Sequence, residues 1–167
     1  MTPPADPGAP PPGGAGPSSP APLLALGLDY GERRIGVATG DTLTRAARPL
    51  GTVAAVDGRP DWPALERYAR EWQPRILVVG VPYNMDGTPT RLTEAAREFA
   101  VEAGRRFALE VVTVDERLSS REAEDLLRRR RASGERKRRV RAADVDPVAA
   151  CVLLEQWLRR RGSENDA

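Results

Sequence analysis

Apolar positions along this chain come in two rhythms, short unbroken runs and longer stripes at helical spacing, and the two alternate. The run Leu23-Leu24-Ala25-Leu26-Gly27-Leu28 stops abruptly at Asp29, and a second run, Ile35-Gly36-Val37-Ala38, begins after Gly31. These segments predict strands over 23–29 and 33–39, and a third strand is expected over 46–55. The short connections make two hairpins. A helix is predicted near 62–72, opening around Asp61 with Pro63 in its first turn. Residues 75–81 are almost continuously apolar, as expected of a central strand covered on both faces. Leu92, Ala95, Ala96, Phe99, Ala103 and Phe107 recur at helical spacing over 91–107, and 110–114 reads as another strand. Ser119-Ser120-Arg121-Glu122 has the pattern of a capping box opening a helix to about 130. A last helix is expected over 147–161, with Pro147 at its first position. The order is β-β-β-α-β-α-β-α-α. Three antiparallel strands followed by strand–helix alternation imply an α/β fold, one mixed five-stranded sheet with helices on both faces.

Composition sets the limits of this domain. Residues 1–21 are mostly Pro, Gly, Ala and Ser, too poor in large apolar groups to offset chain entropy, and are expected to be a disordered tail. The folded domain is then 22–161, with a polar tail at 162–167. No stretch reaches the roughly 18 apolar residues of a membrane span, and no basic segment leads into an apolar core as in a secretory signal. One cysteine allows no internal disulfide. A cytoplasmic protein without a membrane partner is expected.

The 167 residues contain no histidine. That excludes Ser-His-Asp and Cys-His catalysis and His-Cys zinc sites. A metal in this chain must be held by carboxylates, carbonyls and water, which suits Mg²⁺ or Mn²⁺.

Three carboxylates stand where the topology can bring them together. Asp29 ends the first strand, Glu116 follows the strand at 110–114, and Asp146 opens the last helix. Three acids around one or two divalent ions form a phosphodiesterase site. Each also has a plain structural reading. Asp29 fits a turn before Gly31, Glu116 fits a surface pair with Arg117 or Arg121, and Asp146 fits an N-cap, with Asp144 as its rival. Asp115 and Asp41 read as supporting or solvated acids. The loop after the central strand offers Asn84 and Thr88 as neutral phosphate contacts, on the side where α/β sheets take ligands.

Net charge is only +2, but it is unevenly spread. Arg128, Arg129, Arg130, Arg131, Arg136, Lys137, Arg138, Arg139 and Arg141 face Glu135 alone, giving 128–141 a local charge of +8 and the rest −6. Such a block is a footprint for a nucleic-acid backbone. Arginine replaces lysine almost everywhere in this chain, so coding bias and a merely solvated loop are the competing explanation.

LALGLDYGERRIGVATGD, ARPLGTV, DWPALERYAREWQPRILVVGVPYNMDGT, VDERLSSREAE and VDPVAACVLLEQWL, in that order, resemble the YqgF (RuvX) family of RNase H-like proteins. That family is assigned to pre-16S rRNA nucleases and, earlier, to Holliday junction resolvases. The resemblance covers about 23–160. It implies an RNase H-like fold, and it carries the family's catalytic, metal-holding acids onto Asp29, Glu116 and Asp146, favouring Asp146 over Asp144. A metal-dependent nuclease trimming the 5′ end of a ribosomal RNA precursor is the leading expectation. A resolvase of four-way DNA and a non-catalytic nucleic-acid-binding factor are the alternatives, and a sugar-kinase-like ATPase is disfavoured by chain length. RNA, structured DNA, monomer and homodimer all remain open.

Overall fold

A single mixed sheet runs through the centre of the molecule. The computed structural model describes residues 21–116 and the helix over 142–165, the side chains of that helix over 147–162. The helix expected near 119–130 and the basic segment 128–141 fall outside the described residues, as do residues 1–20.

The strands are β1 (Leu24–Asp29), β2 (Arg34–Asp41), β3 (Ala47–Val56), β4 (Arg59–Pro60), β5 (Ile76–Val81) and β6 (Glu110–Asp115). The helices are α1 (Trp62–Trp72), α2 (Arg91–Phe107) and α3 (Ala142–Asn165). The sheet order is β4-β3-β2-β1-β5-β6. β1 pairs antiparallel with β2 and parallel with β5, and β5 pairs parallel with β6. β1 is therefore internal, and the three parallel strands end on one edge of the sheet.

Two expectations need correction. The sheet has six strands rather than five, because Asp57 and Gly58, at φ 50° and 77°, turn the chain back and pair Val56 with Arg59 and Ala55 with Pro60. Positive φ at both central residues is the geometry that a tight hairpin demands, and Asp-Gly is a strong short-range signal for it. Pro60 has no N–H to extend the ladder, so the new strand stays short at the edge. The last helix begins at Ala142 rather than at Pro147, which lies inside it, and it continues past 161 to Asn165. Ala142 and Ala143 are strong helix formers, and Asp144 and Asp146 suit a helix amino end, so the helix extends back through them at the cost of one missing amide.

Strand alternation sorts the core into two layers. Leu26, Leu28, Val37, Leu77 and Val79 face α1 and α2, packing against Leu65, Ala96, Phe99 and Ala103. Ala25, Ala38, Ile76, Val78 and Val114 face α3, packing against Ala150, Leu153, Leu154 and Leu158. The α3 side of β1 carries small residues so that the helix can lie close. A Cβ added at Gly27 would stand 3.0 Å from both the Ala150 carbonyl oxygen and the Leu154 Cβ. β5 is buried at every position, as its continuous apolar run predicts.

The helix starts follow local chemistry. Asp61 caps α1 through Ala64 N at 3.2 Å, and Pro63 lies in the first turn. Thr90 and Thr93 cap α2 reciprocally. The Thr93 amide donates to Thr90 Oγ1 at 3.1 Å, and the Thr90 amide donates to Thr93 Oγ1 at 2.7 Å.

Candidate active site at the carboxyl ends of the parallel strands

Asp29 is the last residue of β1, and its register partner on β5 is Gly80. Gly80 in turn pairs with Val114 of β6, two residues before Glu116. Neighbouring strands lie about 4.8 Å apart, so the ends of β1, β5 and β6 form a short row. Ala25 and Val78 belong to the α3 layer, and alternation puts Asp29 and Gly80 on that same side. Glu116 returns to that side as well. Its Oε1 would lie 2.7 Å from a Cβ built at Gly80, and Leu153 Cδ2 would lie 2.8 Å from it. The missing side chain at Gly80 is thus the space into which Glu116 reaches, next to Asp29, and Glu116 Oε1 is fully buried there.

The third acid is located by its backbone. α3 passes Gly27 at Ala150 and Leu154, and passes Gly40, the register partner of Ala25, at Leu158. It therefore runs antiparallel to β1, with its amino end toward Asp29. Position 146 is one turn, about 6 Å, before Ala150, and Asp29 is a similar distance beyond Gly27. Asp146 thus stands on α3 at the level of Asp29, and its side chain lies outside the described residues. Asp144 lies in the same undescribed part of the helix. Among the described residues, no group of three or more metal-ligating side chains gathers.

The other acids separate from this row. Asp115 pairs with Val81, which faces α1 and α2, so it takes the opposite side of the sheet from Asp29. Asp41 pairs with Leu24 at the far end of β1. There it accepts hydrogen bonds from Leu43 N at 2.9 Å, Thr44 N at 2.8 Å and Thr44 Oγ1 at 3.0 Å. The Thr44 amide, opposed in part by burial and aided by the Thr44 hydroxyl and the Leu43 amide, holds its carboxyl below the usual value.

Asn84 and Thr88 lie on the turn that leaves β5 at the same edge, and they bond to each other, Asn84 Nδ2 to Thr88 Oγ1 at 2.9 Å. Thr88 Oγ1 also donates to Asp86 Oδ1 at 2.6 Å. Much of their hydrogen-bonding capacity thus shapes the loop. The turn is anchored at its root, where the buried Thr93 hydroxyl donates to the Pro82 carbonyl.

Sequence reasoning missed Gly80, although a glycine inside an aliphatic strand is a signal of close approach. It also missed a basic groove at this edge. Arg33 on the β1–β2 turn, Arg34 at the start of β2 and Arg91 at the start of α2 line a cleft of about 570 Å³ together with Gly31 and Glu32. Arg91 is paired with Glu32 at 3.2 Å, yet its side chain is 90% exposed.

Residues 24–160 match the family described as RuvX, Holliday junction resolvase. The chain belongs to the RuvX family. An Azotobacter vinelandii relative bearing the name "Putative pre-16S rRNA nuclease" is 47% identical over 140 residues, covering 84% of this chain and 96% of that protein. A Coxiella burnetii relative of the same name is 44% identical over 142 residues, covering 85% and 96%. In three dimensions the chain is similar to Thermus thermophilus RuvC in complex with a Holliday junction substrate, at a TM-score of 0.51 and 16% identity, over 84% of this chain and 96% of that one. It is also similar to the fowlpox virus resolvase in complex with junction DNA, at a TM-score of 0.53 and 10% identity, over 83% and 99%. At such low identity these two likenesses establish the RuvC-like, RNase H-like fold alone.

Proposed function

We propose that this protein is a divalent-metal-dependent nuclease that hydrolyses phosphodiester bonds in the 5′ region of pre-16S rRNA during ribosome biogenesis in the cytoplasm. The observation that carries this reading is the row of Asp29, the side-chain-free Gly80 and Glu116 on one face of the sheet. Two hard oxygen donors, at the ends of the strands that flank β5, suit Mg²⁺ or Mn²⁺. Asp29, Glu116 and Asp146 are the residues that would hold the metal, which when bound supplies an activated water and neutralises charge on the scissile phosphate. Glu116 is part-buried, and its buried Oε1 takes the space that a side chain at Gly80 would fill. The Asn84–Thr88 turn bounds the site on the β5 side, and Arg33, Arg34 and Arg91 offer the substrate backbone a basic track. The basic block from Arg128 to Arg141 supplies further positive charge for the same kind of ligand. Both monomer and homodimer are compatible with cutting a single strand.

The names of the relatives favour RNA, and the family description keeps four-way DNA as the second substrate to test. Asp29→Asn preserves size and shape while removing one charge. Cleavage of a 5′-extended pre-16S fragment and of a four-way DNA junction is to be followed with Mn²⁺, Mg²⁺ or chelator, in wild type and Asp29→Asn. RNA cleavage that needs metal and falls by about 10³-fold in the variant, several kcal/mol of transition-state stabilisation, is the expected result. Paired symmetric nicks in the junction alone would make the protein a resolvase. Binding without cleavage, equal in both proteins, would make it a non-catalytic factor.

A further inference from the structure

Four large apolar side chains are exposed among the described residues, and Met85, at 88%, is the most exposed of them. Its position differs from the other three. Leu43 lies in the turn at the opposite end of the sheet, Val56 ends β3 and pairs with Arg59 of the short edge strand β4, and Val101 lies on the outer side of α2. Met85 stands at the tip of the turn that leaves the carboxyl end of β5, the strand between Asp29 and Glu116.

The turn is built to hold its tip in one place. Gly87 N donates to the Asn84 carbonyl at 2.8 Å, and Asn84 N donates to the Thr88 carbonyl at 2.9 Å. The Thr88 amide donates to Asp86 Oδ1 at 2.9 Å. Below the tip, Tyr83 bridges to Pro89. The Tyr83 hydroxyl accepts from Arg97 Nη2 at 2.7 Å, and the Arg97 guanidinium lies 5.5 Å from the ring centre. The polar groups of the turn are thus engaged in its own shape, while Met85 at its tip projects into solvent at the sheet edge where β1 and β5 end.

We propose that Met85 is a nucleobase wedge. It packs against the face of a base next to the scissile phosphate, separates that base from its neighbour and so positions the bond over Asp29 and Glu116. This rests on the nuclease reading above. A flexible, polarisable thioether suits the flat face of any base, which gives grip without sequence preference, and apolar side chains inserted between bases are an established way to unstack a strand. Met85 is on this account a positioning residue for substrates whose target base is stacked or paired.

The test uses the full chain and RNA oligonucleotides with 2-aminopurine on either side of the cleaved bond. Binding is read with chelator present, and cleavage with Mn²⁺. Wild type is expected to raise fluorescence severalfold at one of the two positions. Met85→Ala is expected to lose most of that rise, and Met85→Leu to keep it. Cleavage of a substrate paired at the target base should fall about tenfold in Met85→Ala, while cleavage of an unpaired substrate should change less than twofold. The melting temperature of Met85→Ala should match wild type, since the side chain is outside the core. Equal fluorescence and cleavage in Met85→Ala and wild type, with metal-dependent cleavage intact, would overturn the wedge and leave the nuclease standing. A change in sedimentation alone would make Met85 a contact between copies and would likewise overturn it. Failure of wild type both to cleave and to bind would remove the wedge together with the nuclease reading.

Discussion

Gly80 shows how one absent side chain makes room for another residue's carboxylate. The position lies in a fully buried strand, where an aliphatic residue would otherwise serve the core. A methyl there would meet Glu116 Oε1 at 2.7 Å and Leu153 Cδ2 at 2.8 Å. Gly80→Ala is therefore expected to cost about 1–3 kcal/mol in stability from overpacking. It should also lower cleavage by about 10²-fold through displacement of Glu116. Chemical denaturation alongside single-turnover cleavage separates the two effects. Asp41 works differently, as a turn carboxylate far from the site. Its folded-state pKa is below the ordinary value of 3.8, so its charged form stabilises the fold above that pH. That contribution is lost as pH falls through the folded value. Thermal melts of wild type and Asp41→Asn should differ most near neutrality and converge only as pH falls from 3.8 through the lower folded value.

At the scale of elements, α2 is joined to the site edge by a side chain rather than by the backbone ladder. Thr93 is fully buried, caps the helix with Thr90 and bonds the carbonyl of Pro82, the residue after β5. Thr93→Val keeps shape but removes both roles, leaving a part-buried donor and a part-buried acceptor without this partner. A loss of about 2 kcal/mol is expected, with faster hydrogen exchange at the Thr90 amide as the local sign. The β5 turn should loosen too, which links helix capping to the geometry of the site. α3 closes the other face. Its approach depends on Ala25 and Gly27, the small residues of β1 that face it.

Across the whole molecule, charge and topology point the same way. The three parallel strands end on one edge, and that edge carries both described acids and the Arg33, Arg34 and Arg91 groove. Binding of single-stranded RNA should weaken with salt, log affinity falling by about 0.7 per phosphate contacted for each unit of log salt. Arg33→Gln should reduce that slope by roughly 0.7, measured by fluorescence anisotropy across a salt series. An unchanged slope would place the RNA path elsewhere, for instance along the basic segment alone.

The sequence by itself determined the strands and helices that have strong periodicity. β1, β5, α1 and α2 lie where the apolar runs, Asp61 and Pro63 put them, because burial and local caps act over a few neighbouring residues. It also limited any metal to hard oxygen ligands, since a chain without histidine and with one cysteine has little else to offer one. The Asp57-Gly58 hairpin was legible in principle, but its return strand is too short to show a pattern. The start of α3 was not, because Pro147 reads as a boundary although the residues before it can extend the helix. What only the tertiary structure decided was adjacency. Asp29 and Glu116 are far apart in sequence, and nothing local says that Gly80 lies between them or that Asp115 points the other way. Those facts come from the parallel register of β1, β5 and β6 and from strand alternation, which turn small differences in position into opposite faces of a sheet.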